Sequence, residues 1–548
     1  MRFLNKTIIW IFILSILQTT ASCKPDDSEV IIDEPVEEEE QITKGKKGTF
    51  FGLVWFSYIK EPQDNLYAMY RDEKRDVQAG DIPSLASQMK ARMQQLPAGK
   101  RAYMIHEITK LMNVGAQTIY LDEGVELLRE RVEELFTRYK NLGGPDLDYL
   151  AVDWEDNQQP WGLKAKVDNL DISYKEYFDQ IINDPRYQTE VRPKLEALGF
   201  DFGTDPGKNE LSSLYESPLT PYSAGIKNLA IWSIVSRERI SEYLTRAIFE
   251  PTQRHFPNVK TSNYHYLEIP QGSIAGFDGN GINITDYGAF HKVGTHSNVP
   301  TYGYIGNMFN YPPRGYQFST FQKTPFNSML RELIKVQTMY LNTEGNKISA
   351  WIAWPSYSGN NKSVVSGYAG SKYYNEWFFH LGLCNPDPLL IFINHQSSEY
   401  TTYYNNEDKR MSDLLYELDD LAGFDNRRPL IDEVESINTR YLLSGMSAGG
   451  RNVWRLTPDL YCPDITMENF LVDEDPLTFQ IGNQVIRFPE ESFIYTPKNT
   501  NSTLGYWIIS PEGSIPVRSL DSGSKPAPEP VYDPDQAWRD IWNERTGN

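Results

Sequence analysis

The chain has 548 residues, is 40% hydrophobic and 13% aromatic, and sets 53 Lys and Arg against 74 Asp and Glu for a formal net charge of −21. That length accommodates one large domain with one or two smaller ones, and the apolar content excludes a chain disordered throughout. The acid excess argues against a general nucleic-acid binder, and three cysteines (Cys23, Cys384, Cys462) exclude a disulfide scaffold or a multi-cysteine metal centre. With 34 Tyr, 25 Phe and 12 Trp against 7 His, aromatic surface able to stack on sugars is the compositional feature that stands out.

In chain order, Arg2 and Lys6 precede an apolar run, Ile8 to Leu17, too short to span a bilayer as a mature helix. It ends in Thr20-Ala21-Ser22-Cys23, which resembles a bacterial lipoprotein signal whose cysteine is acylated. Residues 24–43 then carry nine acidic side chains and one lysine, a composition that stays extended and solvated. This stretch resembles the surface-export signal of some glycan-degrading gram-negative bacteria. The expected plan is a signal peptide over 1–22 and an anchored acidic tether over 23–45. The protein would sit on the outer membrane or cell surface, held by lipid on Cys23.

From Gly48 the pattern becomes apolar strands alternating with helical stretches. Strands are expected at 49–56, 101–106, 147–154, 260–268, 299–304, 348–354 and 389–394, with an eighth hidden in 107–121. Apolar residues at helical spacing mark Val125 to Phe136, Ile226 to Phe249, Met329 to Tyr340 and Asn405 to Leu421. Continuous apolar strands with intervening helices predict a parallel sheet covered on both faces. With no glycine-rich phosphate loop after the first strand, the expected fold class is α/β: a (β/α)8-like TIM barrel over 46–425. Short alternating strands from about Ile437 predict a small C-terminal antiparallel β-sandwich domain over 426–520, followed by a tail over 521–548.

The segment that carries chemistry is Ala151-Val152-Asp153-Trp154-Glu155. Alternate residues of a strand share a face, so Tyr149, Ala151, Asp153 and Glu155 go one way and Leu150, Val152 and Trp154 the other. Two carboxylates ~7 Å apart at the C-terminal end of a barrel strand cannot both ionise freely in a partly dry site. One is pushed towards the role of general acid, as protonation of a glycosidic oxygen requires. Capping of the next helix, or pairing with an arginine, is the plain structural alternative.

Asp153-Trp154-Glu155, preceded by Ala151-Val152 and followed by Trp161, resembles the catalytic strand of the animal and venom-type hyaluronidases. The resemblance implies a (β/α)-barrel hydrolase using the substrate's acetamido oxygen as nucleophile, with Glu155 as acid/base and Asp153 orienting the acetamido group. The likeness is confined to this strand, and the chain's negative charge argues against hyaluronan as the substrate.

Further sugar-binding candidates sit at strand ends: Tyr264, Tyr266, Glu268, Tyr302, Tyr304, Trp351, Trp354, Trp55 and Asn394. Glu268 is the alternative nucleophile of a two-carboxylate retaining mechanism. Trp351 and Trp354 have opposite parity, and Trp354, nearer the strand end, is the expected floor under the reacting sugar. For each aromatic alone, core packing is the competing role.

His106, His291 and His296 lack metal-ligand spacing, so neither a metal nor a cofactor is expected. The serines of Ser444-Gly445-Met446-Ser447-Ala448-Gly449-Gly450 are read as part of a loop rather than a nucleophile elbow. The expectation is a monomeric, surface-anchored glycoside hydrolase acting on carbohydrate. Its rival is a non-catalytic glycan-binding lipoprotein using the same aromatics.

Overall fold

The computed structural model describes residues 52–55, 66–71, 81–96, 98–99, 101–106, 122–153, 182–200, 202, 235, 241–264, 294–300, 326, 329–330, 333, 336–337, 347–353, 372–386, 389–392, 421, 427–430, 439–497 and 504–529. The chain divides into the units Met1–Lys44 and Gly45–Asn548, and every described residue belongs to the second. The signal, Cys23 and the acidic stretch lie outside the described residues, as do Trp538 and Trp542 of the tail.

The fold is mixed α/β. Eight strands form one sheet: β1 (Gly52–Trp55), β2 (Leu66–Arg71), β3 (Arg101–His106), β4 (Tyr149–Asp153), β5 (Lys260–Tyr264), β6 (His296–Pro300), β7 (Lys347–Ala353) and β8 (Leu389–Phe392). Every pairing is parallel, in the order β5-β4-β3-β2-β1-β8-β7-β6, so β1 lies beside β8. At the two ends of that order, Thr295 N–H donates to the Thr261 carbonyl (3.1 Å) and Thr261 N–H donates to Thr295 Oγ1 (2.8 Å). The chain entering β6 is thereby tied to β5. Gly294 makes the approach possible: at φ +71° it adopts the left-handed conformation, and a Cβ there would lie 2.6 Å from the Thr261 carbonyl oxygen.

Burial explains why these strands were readable. Ala102 to Ile105 and Tyr149 to Val152 are buried at consecutive positions, the continuous apolar run of a sheet covered on both faces. Helix α1 (Ile82–Met93) starts with proline in its first turn and buries Ile82, Leu85, Ala86, Met89 and Met93. Helix α2 (Asp122–Asn141) buries Val125, Leu128, Val132, Leu135, Phe136 and Tyr139 at 3.6 spacing. Its Phe136 meets Phe256, just past α3 (Glu250–His255), edge to face at 5.2 Å.

Two strands depart from expectation. The strand expected in 107–121 lies outside the described residues, and β2, at Leu66–Arg71, is a strand that the sequence pattern does not mark. Its Leu-Tyr-Ala-Met-Tyr-Arg run has no β-branched residue to announce it. β6 begins at His296 instead of Val299, because the polar His-Ser-Asn stretch is held by pairing with β7 and by the Thr261–Thr295 bonds rather than by its own apolar pattern.

The C-terminal part contains two antiparallel sheets. One runs β15 (Phe493–Tyr495), β16 (Tyr506–Pro511), β11 (Arg451–Pro458), β10 (Tyr441–Ala448), β9 (Arg428–Leu430). The other runs β12 (Leu471–Glu474), β13 (Leu477–Ile481), β14 (Gln484–Arg487), β17 (Val517–Leu520). They share one apolar cluster: Tyr441, Leu443, Trp454, Leu456 and Ile508 from the first, and Leu477, Phe479, Ile481 and Ile486 from the second. Each such side chain contributes roughly 1.5–3 kcal/mol of burial. Ser444 to Ala448, expected in a loop, are strand residues of β10, and only Gly449–Gly450 form the turn.

β10 is buried along its whole length, which a two-sheet core alone does not explain. Its other face is covered by α4 (Lys372–Leu383), a helix the sequence reading missed and whose described side chains, from Asn375 onward, are all buried. At this junction Arg455 of β11 donates Nε to Glu376 Oε2 (2.9 Å) and Nη2 to Glu376 Oε1 (2.5 Å), with neither side chain more than 1% exposed. The guanidinium also lies over the rings of Trp507 and Phe379. Gly505 leaves the room, since a Cβ there would sit 2.5 Å from Thr457 Oγ1 and 2.8 Å from Glu376 Oε2.

The hydrogen-bond directions follow from the carboxylate, which only accepts. Thr457 Oγ1 donates to Glu376 Oε2 (2.6 Å), so its oxygen accepts from His380 Nε2–H (2.9 Å). His380 is neutral, so its Nδ1 accepts from the Ser444 hydroxyl (2.9 Å). Complete burial, helped by the nearby Arg455 charge, holds the His380 pKa well below the usual histidine range.

Because removing one partner strands a buried charge, Glu376→Gln or Arg455→Met alone should cost about 3–5 kcal/mol in denaturant unfolding. The double replacement Glu376→Leu/Arg455→Met should cost clearly less than the sum of the two singles. For His380 the folded pKa lies below the unfolded value of about 6.5, so its contribution is complete above that pH and is lost on acidification. Asp459, whose carboxyl burial pushes up to about 6, works in the opposite sense, holding a proton in the fold that the unfolded chain releases as pH rises. The comparison that isolates His380 is therefore wild type against His380→Gln: below pH 6.5 the wild type should lose stability faster, by up to about 1.4 kcal/mol per pH unit.

Candidate active site

All eight strands run the same way, so their C-terminal ends form one rim. Five consecutive strands end there on residues that carry chemistry: β1 on Trp55, β2 on Arg71, β3 on His106, β4 on Asp153 and β5 on Tyr264. His106, Asp153 and Tyr264 stand directly opposite one another in register.

Register pairs also carry strand parity around the sheet. Leu390 pairs with Trp351 on one side and Leu53 on the other, which gives Trp351 and Trp55 a common parity. Trp55 pairs with Met69, Met69 with Ala102, Ala102 with Tyr149 and Tyr149 with Lys260. By two-residue steps the set extends to Arg71, His106, Asp153, Ser262 and Tyr264. Through β7, Trp351 pairs with Pro300, and His296 belongs to the same set.

Described side chains bear out that this set is one face. Tyr149 Oη is hydrogen-bonded to Ser262 Oγ (2.5 Å) on the neighbouring strand, and its ring meets that of His296 of β6 edge-on at 6.3 Å. His296 Nδ1 is in turn bonded to Thr295 Oγ1 (2.7 Å). A side-chain contact between strands that do not pair requires that both lean over the same surface of the sheet. Leu150 and Val152, buried with the opposite parity, belong to the other surface.

Of the sequence candidates, the strand positions of Trp55, Asp153, Tyr264 and Trp351 therefore share this face. Glu155, Tyr266, Glu268, Tyr302, Tyr304, Trp354 and Asn394 lie outside the described residues. Arg71 and His106 were not chosen from the sequence as site residues. The available signal was that each closes its strand, but β2 was not recognised, and His106 was weighed only as a metal ligand. Among the described residues no group of three or more His, Cys, Asp and Glu is placed to hold a metal, and no helix is long and apolar enough to cross a membrane.

No protein-family model matches the chain, and no curated protein matches it. Solved structures do. A noncanonic maltogenic α-amylase from Thermotoga neapolitana aligns over 87% of this chain and 100% of its own at 9% identity, TM-score 0.29. A broad-specificity GH5-4 endoglucanase from Clostridium longisporum aligns over 61% and 85% at 13% identity, TM-score 0.24. An α-amylase from Geobacillus thermoleovorans aligns over 83% and 98% at 9% identity, TM-score 0.28. Likenesses this distant carry no weight for mechanism, which rests on the chain's own residues.

Proposed function

We propose that the protein is a glycoside hydrolase in which the eight-stranded sheet closes as a (β/α)8 barrel and the two C-terminal sheets form a β-sandwich. The cyclic strand order and the Thr261–Thr295 bonds support closure. The observation that carries the function is Asp153 at the end of β4, with the parity of Tyr149 and in register with His106 and Tyr264.

Glu155 is the proton donor and Asp153 its ionised partner. Arg71 and His106 end β2 and β3 on the same rim and face as Asp153, with His106 directly opposite it in register. Two carboxyl groups at one strand end do not both ionise freely, and the one that keeps its proton, Glu155 in this reading, gives it to the glycosidic oxygen. Asp153 orients and stabilises the reacting group, an acetamido oxygen if the substrate carries one. Tyr264 and Trp351, with Trp55, line the sugar sites, joined by Tyr266, Tyr302, Tyr304 and Asn394, whereas Trp354 has the parity opposite to Trp351 and is left out of them; Glu268 is the nucleophile in a two-carboxylate variant of the reaction. The chain acts as a monomer at the outer surface, held by lipid on Cys23, with residues 24–45 as a tether.

Glu155→Gln in the purified full chain should lower turnover of N-acetylated or neutral oligosaccharides by at least about 10²–10⁴-fold while sugar binding persists. Asp153→Asn should also lose turnover. Wild-type turnover in Glu155→Gln would remove Glu155 as the proton donor; no turnover by the wild type, with sugar binding lost in Trp351→Ala, would end the hydrolase reading and put the capture protein in its place. For the anchor, Cys23→Ser should move the protein from the membrane fraction to the soluble one, read by fractionation and immunoblotting.

A further inference from the structure

The C-terminal sheet carries two aromatic rings that nothing above employs. In β15, Ile494 packs against the shared apolar cluster, while Phe493 and Tyr495 alternate to the opposite face, where they are 53% and 39% exposed. Both belong to the surface that α4 covers further along the sheet, since Tyr495 pairs with Trp507 and Phe493 with Ile509, which are 2% and 6% exposed. Cover stops before β15, and the two rings are left open at the sheet's edge.

We infer that Phe493 and Tyr495 form a surface binding site for a neutral glycan chain. The inference rests on carbohydrate being the protein's substrate class, and not on whether the chain cleaves it.

Three features select this occupant. The first is area: about half of each ring is open, and at ~150–250 Å² per aromatic side chain the patch is roughly 200 Å². A stable protein partner covers about 800 Å² per side, so a second copy or another protein finds too little here. One or two sugar rings fit, because a pyranose presents a flat C–H face to an aromatic ring. The second is spacing: alternate strand positions set the two rings ~6.7 Å apart, near enough for adjacent sugars of one chain to occupy both.

The third is the polar surround. Among the described residues β15 is the edge strand of its sheet, with β16 as its one neighbour and its N–H and C=O groups beside the two rings. The turn before it exposes Glu490 and Glu491, whose carboxylates accept from hydroxyls and repel an anionic chain. Apolar faces with acceptors and donors beside them, and no cation in the turn or the strand, are the chemistry of an uncharged sugar. Such a site would hold the protein on a polymer.

Affinity electrophoresis of the full chain in native gels containing galactomannan, glucomannan, arabinoxylan or mixed-linkage glucan tests this, with hyaluronan as the anionic comparison. At least one neutral polymer should retard the wild type, and Phe493→Ala/Tyr495→Ala should weaken that retardation at least tenfold with an unchanged melting temperature. The conservative pair Phe493→Tyr/Tyr495→Phe should restore it. Glu155→Gln should be retarded as the wild type is, so failure of the hydrolase reading leaves this result standing. Equal retardation of the double alanine variant, no retardation of the wild type by any neutral polymer, or retardation by hyaluronan alone would overturn the site. So would a wild-type dimer in sedimentation that the alanine variant dissolves, which would make the rings a contact between copies.

Discussion

A one-residue slip of β4 against β3 and β5 would carry Asp153 to the face that Leu150 and Val152 now occupy, and no other change could restore it. Everything proposed for the catalytic end hangs on that register. It is over-determined: Tyr149 is tied to Ser262, its ring leans on His296, and five neighbouring strands agree on parity. The junction between β5 and β6 lacks a strand ladder, and it is there that Thr261, Thr295 and a glycine with positive φ supply the bonds.

The second organising contact is a buried charge pair. A salt bridge out of water is poor evidence for stability by itself, because desolvation of both ions offsets their attraction. Here Glu376 is also bonded by Thr457, and Arg455 is covered by two aromatic rings, so the pair is satisfied on every side. Such a network admits one alignment of α4 on the sheet, since any other would leave a charge unpaired. It fixes α4 on β10 and β11, within the one compact unit Gly45–Asn548.

Legibility followed burial. β3 and β4 were readable because strands covered on both faces are written as continuous apolar runs. β2 was missed for want of β-branched residues, and the start of β6 because polar residues are held there by neighbours. α4 escapes the pattern because its polar residues Asn375, Glu376 and His380 are buried like its apolar ones, so no polar stripe marks a solvent face. Among the candidate positions that share one face, Trp55, Asp153, Tyr264 and Trp351 were legible as polar or aromatic residues in apolar strands. Arg71 and His106 were not, since their relation to Asp153 exists only across strands distant in sequence.

By itself the sequence determined the α/β alternation, the antiparallel character of the C-terminal part, and the parity that groups Tyr149, Ala151 and Asp153, because periodicity is a local property of the backbone. Only the tertiary structure decided which strands are neighbours, that β1 meets β8, and that α4 closes over β10 and β11 with a charged pair inside. Those choices come from the pairing of surfaces hundreds of residues apart, where complementarity of shape and charge, and not local pattern, selects the partner.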